Sequence, residues 1–282
     1  MAELPGLVAN HLKGIRTLII AQLTDLHLRT GGELTFGKVD TAAFMSAAVA
    51  AIGRLDPAPD VLLLTGDLVD NGAVEAYSLL AELLAPLDIP VRMLPGNHDA
   101  RDAMREVFAS TDYLPASGFL QYESDIGPLR LLCLDTLVEG KTYGHLCAER
   151  LDWLQTRLAE RPEDPTVIAL HHPPCPLGIA MDSIGLVEGS EALEKIVAMH
   201  ANIERVICGH VHRTIHRRWA GTMVTAAPGP AHQIALSLES SQAFRIIMEP
   251  PSFHLHVWRP DTGLVTHACL VEDFPVAHEV RV

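Results

Sequence analysis

Short apolar runs alternate with amphipathic stretches through the first two-thirds of the chain, and then the amphipathic stretches stop. Leu18–Leu23, Val61–Thr65 and Thr166–Leu170 are nearly continuous apolar segments. Continuous rather than alternating hydrophobicity marks strands buried on both faces. Val91–Leu94 and Arg205–Cys208 are shorter runs of the same kind, and Phe119–Glu123 and Leu129–Asp135 read as two further strands. Between them the periodicity predicts helices over Asp40–Leu55, with Asp40 as N-cap, and over Ala73–Leu84, Arg101–Phe108, Ala148–Ala159 and Val187–His200. From Arg213 onward the runs are short and β-like: Thr214–Trp219, Met223–Ala226, Gln233–Leu238, Ala243–Met248, Phe253–Trp258 and Val265–Leu270, broken by Gly, Pro or Ser. The pattern predicts an α/β fold, two packed sheets with helices outside, finished by a β-rich C-terminal arm. The expected division is a domain over 1–232 and a β-rich extension over 233–282, whose apolar strands lie beyond a core already complete. Exposed edges there would invite pairing.

Composition narrows the partners. The chain has 282 residues, 48% hydrophobic and 20% charged, enough to bury a large core. Its formal charge of −14, with no Lys/Arg stripe, argues against long DNA or RNA. Small anionic substrates stay compatible with that charge, because bound cations invert the local field. Met1–Gly14 lacks a charged start followed by an apolar core, so no signal peptide is expected. No apolar run approaches the roughly 18–20 residues of a membrane span, so no membrane insertion is expected. The five cysteines are odd in number and lack CxxC spacing, which predicts reduced thiols in a cytoplasmic protein. Cys175 follows a His-His-Pro-Pro block, which would place it near the candidate chemistry.

That chemistry lies in five blocks at the ends of the predicted strands: Asp25-Leu26-His27, Gly66-Asp67, Gly96-Asn97-His98-Asp99, His171-His172-Pro173-Pro174 and Gly209-His210-Val211-His212. Carboxyl ends of strands in an α/β sheet share one edge, so residues far apart in sequence converge there. Two carboxylates, one amide and several imidazoles suffice for two divalent cations, and the donor set suits Mn, Fe, Zn or Co. A bridging carboxylate allows two cations to sit about 3.5–4 Å apart, and Asp67, after a glycine that permits close approach, suits that role. Each block alone is an ordinary turn or capping sequence; it is their joint occurrence after strands that argues for a site.

In order and spacing the blocks resemble the signature of the calcineurin-like metallophosphoesterases, over residues 25 to 212. His-His-Pro-Pro, the stretch Pro228-Gly229-Pro230-Ala231-His232-Gln233 and the β-rich tail are similar to the bacterial class III cyclic nucleotide phosphodiesterases and glycerophosphodiesterases. The resemblance implies a two-sheet αββα sandwich. It implies that Asp25, His27 and His212 hold one divalent transition-metal ion, that Asn97, His171 and His210 hold a second, and that Asp67 bridges them. It implies hydrolysis of small phosphodiesters by a metal-bound hydroxide, with His98 as the catalytic, substrate-binding residue that hydrogen-bonds a phosphoryl oxygen or protonates the leaving alkoxide, and with His232 near the substrate phosphate. By spacing either His171 or His172 fits; the family pattern picks His171. Asp99 would orient His98 or cap a helix. The C-terminal strands would pair with a symmetry mate, giving a homodimer or an assembly of dimers. The other readings of the site are a phosphomonoesterase, a nuclease or a non-catalytic metal-binding scaffold. The loops Thr136–Tyr143 and Gly178–Leu186 are expected over the site, and neither offers an Arg fork for a terminal phosphate.

Overall fold

A computed structural model describes residues 17–238 and 244–280. The expectation for Met1–Gly14 lies outside the described residues, as does the start of the expected strand Ala243–Met248. In chain order the elements are β1 (Leu18–Leu23), α1 (Thr41–Gly53), β2 (Val61–Thr65), α2 (Val74–Leu84), β3 (Val91–Leu94), α3 (Arg101–Val107), β4 (Tyr122–Ile126) and β5 (Leu129–Cys133). There follow β6 (Gly144–His145), α4 (Ala148–Glu160), β7 (Thr166–Ala169), a 3-10 turn (Ala180–Ile184), β8 (Leu186–Glu188), α5 (Ser190–Ala198) and β9 (Ile203–Cys208). The chain closes with β10 (Ile215–Trp219), β11 (Thr222–Ala226), β12 (Gln233–Ile234), β13 (Ile246–Ile247), β14 (Ser252–Arg259) and β15 (Gly263–Leu270).

Two sheets carry the fold. The first runs β15-β14-β1-β2-β3 and the second β10-β11-β9-β7-β5-β4. Three separate apolar clusters show why the strands read as continuous hydrophobic runs. Leu18 and Ile20 of β1, Val61 and Leu63 of β2, and Val167, Ala169 and Ile207 from the second sheet pack between the sheets. Alternate residues turn the other way: Leu23, Leu62 and Leu64 pack on Met45 and Ile52 of α1 and Leu80 of α2. On the far side Leu132, Ile168 and Val206 pack on Leu154 and Leu158 of α4 and Leu193 of α5. The layers are therefore α, β, β, α, as the pattern predicts. Asp40 caps α1, its carboxylate accepting from the Ala43 amide at 3.0 Å.

Three expectations are corrected. The predicted helix Val187–His200 begins as β8, which pairs with β6, and only Ser190–Ala198 is helical. Gly189 separates the two with φ +87°, and a Cβ there would lie 2.3 Å from the Leu146 carbonyl oxygen. The predicted strand Phe119–Glu123 starts later, at Tyr122, because the Leu120 amide donates to the Asp135 carboxylate (2.7 Å) instead of to a neighbouring strand. The third correction concerns the tail. β14 pairs antiparallel with β1, Leu18 opposite Trp258 and Gln22 opposite His254, and β15 pairs with β14. These strands complete the first sheet of the same chain, so the core is not finished at residue 232.

The alternation in β14 is inverted relative to an ordinary amphipathic strand. Phe253 and Leu255 join the helix-covered core, while His254 and His256 are fully buried in the sheet. A polar seam receives them. Arg205 donates to the Thr266 hydroxyl (3.4 Å), and His256 Nδ1 lies 2.9 Å from that hydroxyl. His256 Nε2 lies 2.9 Å from Gln22 Oε1, and Gln22 donates to the Thr65 hydroxyl (2.8 Å) and the Cys208 carbonyl (3.1 Å). Burial holds His256 neutral, well below its ordinary pKa. The amide oxygen can only accept, so the His256 proton sits on Nε2 and Nδ1 accepts from Thr266. Gln22 thereby ties the first sheet to the second at the residues that precede the Gly66-Asp67 and Gly209-His210 blocks. Gln22→Leu leaves His256 and Thr65 with buried unpaired groups, the Cys208 carbonyl keeping only the Ala227 amide (3.0 Å), and is expected to lower unfolding stability by about 2–3 kcal/mol. Urea denaturation measures this; a loss under about 0.5 kcal/mol would show that the seam does not support the sandwich.

Candidate metal centre

Among the described residues, five of the seven non-glycine positions with positive φ are candidate ligands: Asp25 (56°), His27 (44°), Asp67 (50°), His210 (70°) and His212 (50°). L-residues avoid this region, and strain of this kind persists only where the surroundings impose it. The two pairs spaced i, i+2 thus leave their strands with the same backbone twist and turn toward one volume. Glycine is required beside them: a Cβ on Gly96 would stand 2.3 Å from both the amide nitrogen and Oδ1 of Asp67.

The imidazoles are oriented from outside. His27 Nδ1 lies 3.3 Å from the Asp70 carboxylate, His212 Nδ1 3.1 Å from the His232 carbonyl, and His171 Nδ1 2.8 Å from the Thr65 carbonyl. Each partner only accepts, so each Nδ1 carries the proton and each Nε2 presents a lone pair. Those lone pairs face other electron-rich atoms. His27 Nε2 and His212 Nε2 are 3.2 Å apart, with Asp25 Oδ1 3.4 Å from the latter and Asp67 Oδ2 3.6 Å from the former. His171 Nε2 lies 3.2 Å from Asn97 Oδ1 and 3.4 Å from the same Asp67 Oδ2. His210 Nε2 is buried without a hydrogen-bond partner. Buried lone pairs this close repel unless positive charge lies among them, so the donor set fits divalent cations. The divided arrangement, with one Asp67 oxygen facing both halves, fits two.

Protonation states report the same need. Burial opposes charge on His171, yet Asp67 and Asp25 outweigh it and lift this imidazole to about 9. The carboxylates draw a proton where a cation would otherwise serve. His210 and His212 are pushed down to about 3, chiefly by burial. Asp70 is opposed by burial but held at about 2 by hydrogen bonds from His27 and Arg29.

The structure brings all nine singled-out residues together. His27, Asp67, Asn97, His98, His210, His212 and His232 line one cleft of about 350 Å³, and Asp25 and His171 lie fully buried within the same cluster. His98 is held by its backbone amide, which donates to Asp67 Oδ1 (2.8 Å), and by Nδ1, 2.8 Å from the Asp70 carbonyl. That leaves its Nε2 available on a half-exposed side chain. His232, buried with Nδ1 unpartnered, has its ring centroid 4.8 Å from that of His212 and 5.5 Å from that of His27. Of the adjacent histidines, His171 is the one with a nitrogen near Asp67; His172 sits behind it, 2.8 Å from the Thr136 hydroxyl.

Asp99 departs from expectation. It neither touches His98 nor caps α3, whose N-cap is Ala100. Its carboxylate accepts from the amides of Gly96 (2.8 Å), Leu68 (3.2 Å) and Val69 (3.4 Å) and from the Tyr77 hydroxyl (2.8 Å), clamping the loop after β2 to the loop after β3. Cys175 is buried, its thiol is pushed up to about 11 chiefly by burial, and it is not among the cleft residues. Sequence reasoning missed Asp70, whose only signal is a second carboxylate three positions after Asp67, and Phe36 at the cleft rim. The two loops expected over the site do reach it, through Thr142, Met181 and Ile184.

Comparison with known proteins agrees with this geometry. The family model described as calcineurin-like phosphoesterase matches residues 18–214. The "Probable glycerophosphodiester phosphodiesterase GpdQ" of Arcobacter nitrofigilis is 35% identical over 258 residues, 91% of this chain and 94% of that one. The "3',5'-cyclic-nucleotide phosphodiesterase alr5338" of a Nostoc species is 31% identical over 236 residues, 84% of this chain and 86% of that one. Among solved structures, a dimetal phosphatase from Danio rerio superposes with a TM-score of 0.61 at 15% identity, covering 90% of this chain and 99% of that chain, a likeness of fold. The family match, the relatives along most of the chain and the paired carboxylate–imidazole clusters together show that this protein belongs to the calcineurin-like phosphoesterases, a family of metal-using hydrolases.

Proposed function

We propose that the chain is a binuclear-metal phosphodiesterase acting on small phosphodiesters of the glycerophosphodiester or cyclic nucleotide kind. The observation that carries this reading is the single Asp67 oxygen directed at two sets of inward-facing imidazoles. In it Asp25, His27 and His212 would hold one divalent ion, Asn97, His171 and His210 the other, and Asp67 both. Ions so held polarise phosphoryl oxygens and make a water available as nucleophile at neutral pH.

The chain's own residues supply the rest. With Nδ1–H committed to the Asp70 carbonyl, His98 offers Nε2 to the cleft. As the neutral ring that nitrogen accepts; protonated, it donates to a phosphoryl oxygen or to the departing alkoxide. His232 lies beside His27 and His212, where the phosphate of a bound diester would come within its reach. Lys and Arg are absent among the described residues that line the cleft. A diester carries less charge than a terminal phosphate and needs no further cation, which favours diesters over monoesters. Five free thiols accord with a reducing, cytoplasmic setting, and no described helix is long and apolar enough to cross a membrane.

The antiparallel pair β12 and β13 has Leu236 (52%), Leu238 (74%), Phe244 (41%) and Met248 (54%) exposed beside it. A patch of this kind marks an association surface, and it supports pairing with a second copy of the chain.

Three measurements test these readings. Chelated protein should not hydrolyse bis(p-nitrophenyl) phosphate until Mn²⁺ is added, and should then prefer it to p-nitrophenyl phosphate; His98→Ala should lower that kcat by about 10²–10⁴-fold. Preference for the monoester would overturn the diesterase reading. Asp70→Ala removes the acceptor that orients His27 and should weaken Mn²⁺ binding, read by calorimetry, by about 10–100-fold; unchanged affinity would remove Asp70 from the centre's support. Sedimentation at micromolar concentration should give a dimer or larger species, and a monomer would sink the pairing proposal.

A further inference from the structure

Phe36 occupies a position that an ordinary loop would give to glycine. It sits in a tight hairpin closed by hydrogen bonds from the Thr35 amide to the Val39 carbonyl (2.9 Å) and from the Gly37 amide to the Leu34 carbonyl (2.9 Å). Its φ is 54°, in the left-handed region where a bulky residue is a genuine outlier. The hairpin is also fastened to the candidate metal centre itself. The hydroxyls of Thr35 (3.4 Å) and Thr41 (3.0 Å) donate to the carbonyl of His27. Thus the backbone that holds Phe36 in a strained conformation is tied to the backbone of a candidate ligand.

The side chain so held is not buried. Phe36 is 62% exposed and lines the cleft, its ring set edge-on to His232 with centroids 5.4 Å apart. His232 in turn stands 5.5 Å from His27, so an aromatic wall rises from the candidate ligands to the rim. Met181, Ile184, Ile234 and Ile246 contribute the other apolar surface of the same cleft. A strained backbone and an exposed phenyl ring both disfavour phenylalanine here on folding grounds. Such outliers concentrate where the surroundings hold a residue for a ligand.

We propose that Phe36 is the specificity-determining residue of the cleft, a fixed aromatic face for the flat, apolar arm of a phosphodiester such as a nucleoside base or an aryl ester. The inference rests on the phosphodiesterase reading and deepens it by naming the class of arm that is preferred. A polyol arm presents no planar surface to stack and would leave the apolar rim in contact with hydroxyl groups. Stacking on an exposed aromatic ring tolerates different bases, because every base has a π face.

The test compares cyclic AMP with glycerophosphoglycerol, a diester with neutral polyol arms, on Mn²⁺-loaded Phe36→Gly, Phe36→Leu and Phe36→Trp proteins. In Phe36→Gly the ratio of kcat/KM for cyclic AMP to that for glycerophosphoglycerol should fall about tenfold, the usual size of a lost base–aromatic contact. The ratio should be intermediate in Phe36→Leu and retained in Phe36→Trp. Because glycine favours the left-handed backbone, the Tm of Phe36→Gly should equal or exceed that of the parent, which separates lost recognition from lost folding. An unchanged ratio in Phe36→Gly would overturn the proposal, as would an equal loss on both substrates. Failure of the unsubstituted, Mn²⁺-loaded protein to hydrolyse any diester would instead defeat the phosphodiesterase reading, and this inference with it.

Discussion

Repulsion organises this molecule. Five buried donor atoms, His27 Nε2, His212 Nε2, His171 Nε2, Asp25 Oδ1 and Asp67 Oδ2, are pressed together at 3.2–3.6 Å with their lone pairs inward. In their own chemistry only the proton that Asp67 and Asp25 draw onto His171 eases it. It persists because every donor is secured from behind: His27 by Asp70, His212 by the His232 carbonyl, His171 by the Thr65 carbonyl, Asp67 by the amide of His98 (2.8 Å), and Asp25 by the amide of His210, which donates to both of its oxygens (3.1 and 3.0 Å). The left-handed backbone at five of the candidate ligands has the same origin. The apolar clusters on both sides of each sheet provide the rigidity against which this strain is held.

The site was largely legible in the chain because its chemistry is written in short local strings, each following a strand that sequence pattern alone can find. Asp25 and His27 follow β1, Gly66 and Asp67 follow β2, and Gly209, His210 and His212 follow β9. What was not legible depends on partners distant in sequence. Asp70 has no local mark distinguishing it from a solvated loop carboxylate; only the fold puts it behind His27. Asp99 reads as a helix cap, yet its acceptors are claimed by Gly96, Leu68 and Tyr77, the last 22 positions away. Phe36 looks like a stray surface aromatic until the hairpin brings it against His232.

The fold was legible for a similar reason and failed where burial was inverted. Parallel strands buried on both faces declare themselves by composition. β14 does not, because its inward positions are His254 and His256, and polar residues there read as solvent-facing. Their partners, Thr214 for one and Gln22 with Thr266 for the other, lie on separate segments of the chain. The tail therefore looked like an appendage with free edges, and the seam that makes it integral could be seen only once the sheets were assembled.

That seam has a consequence for the order in which the molecule can come into being. His256 and Gln22 are separated by 234 positions, and β1 has no partner on one side until β14 arrives. A chain emerging from the ribosome carries all five ligand blocks long before it carries this strand. Closing so distant a pair is slow compared with local helix formation. The donors of the first sheet thus gain their full backing last, and a nascent chain holds the whole chemistry of the centre without the frame that forces it together.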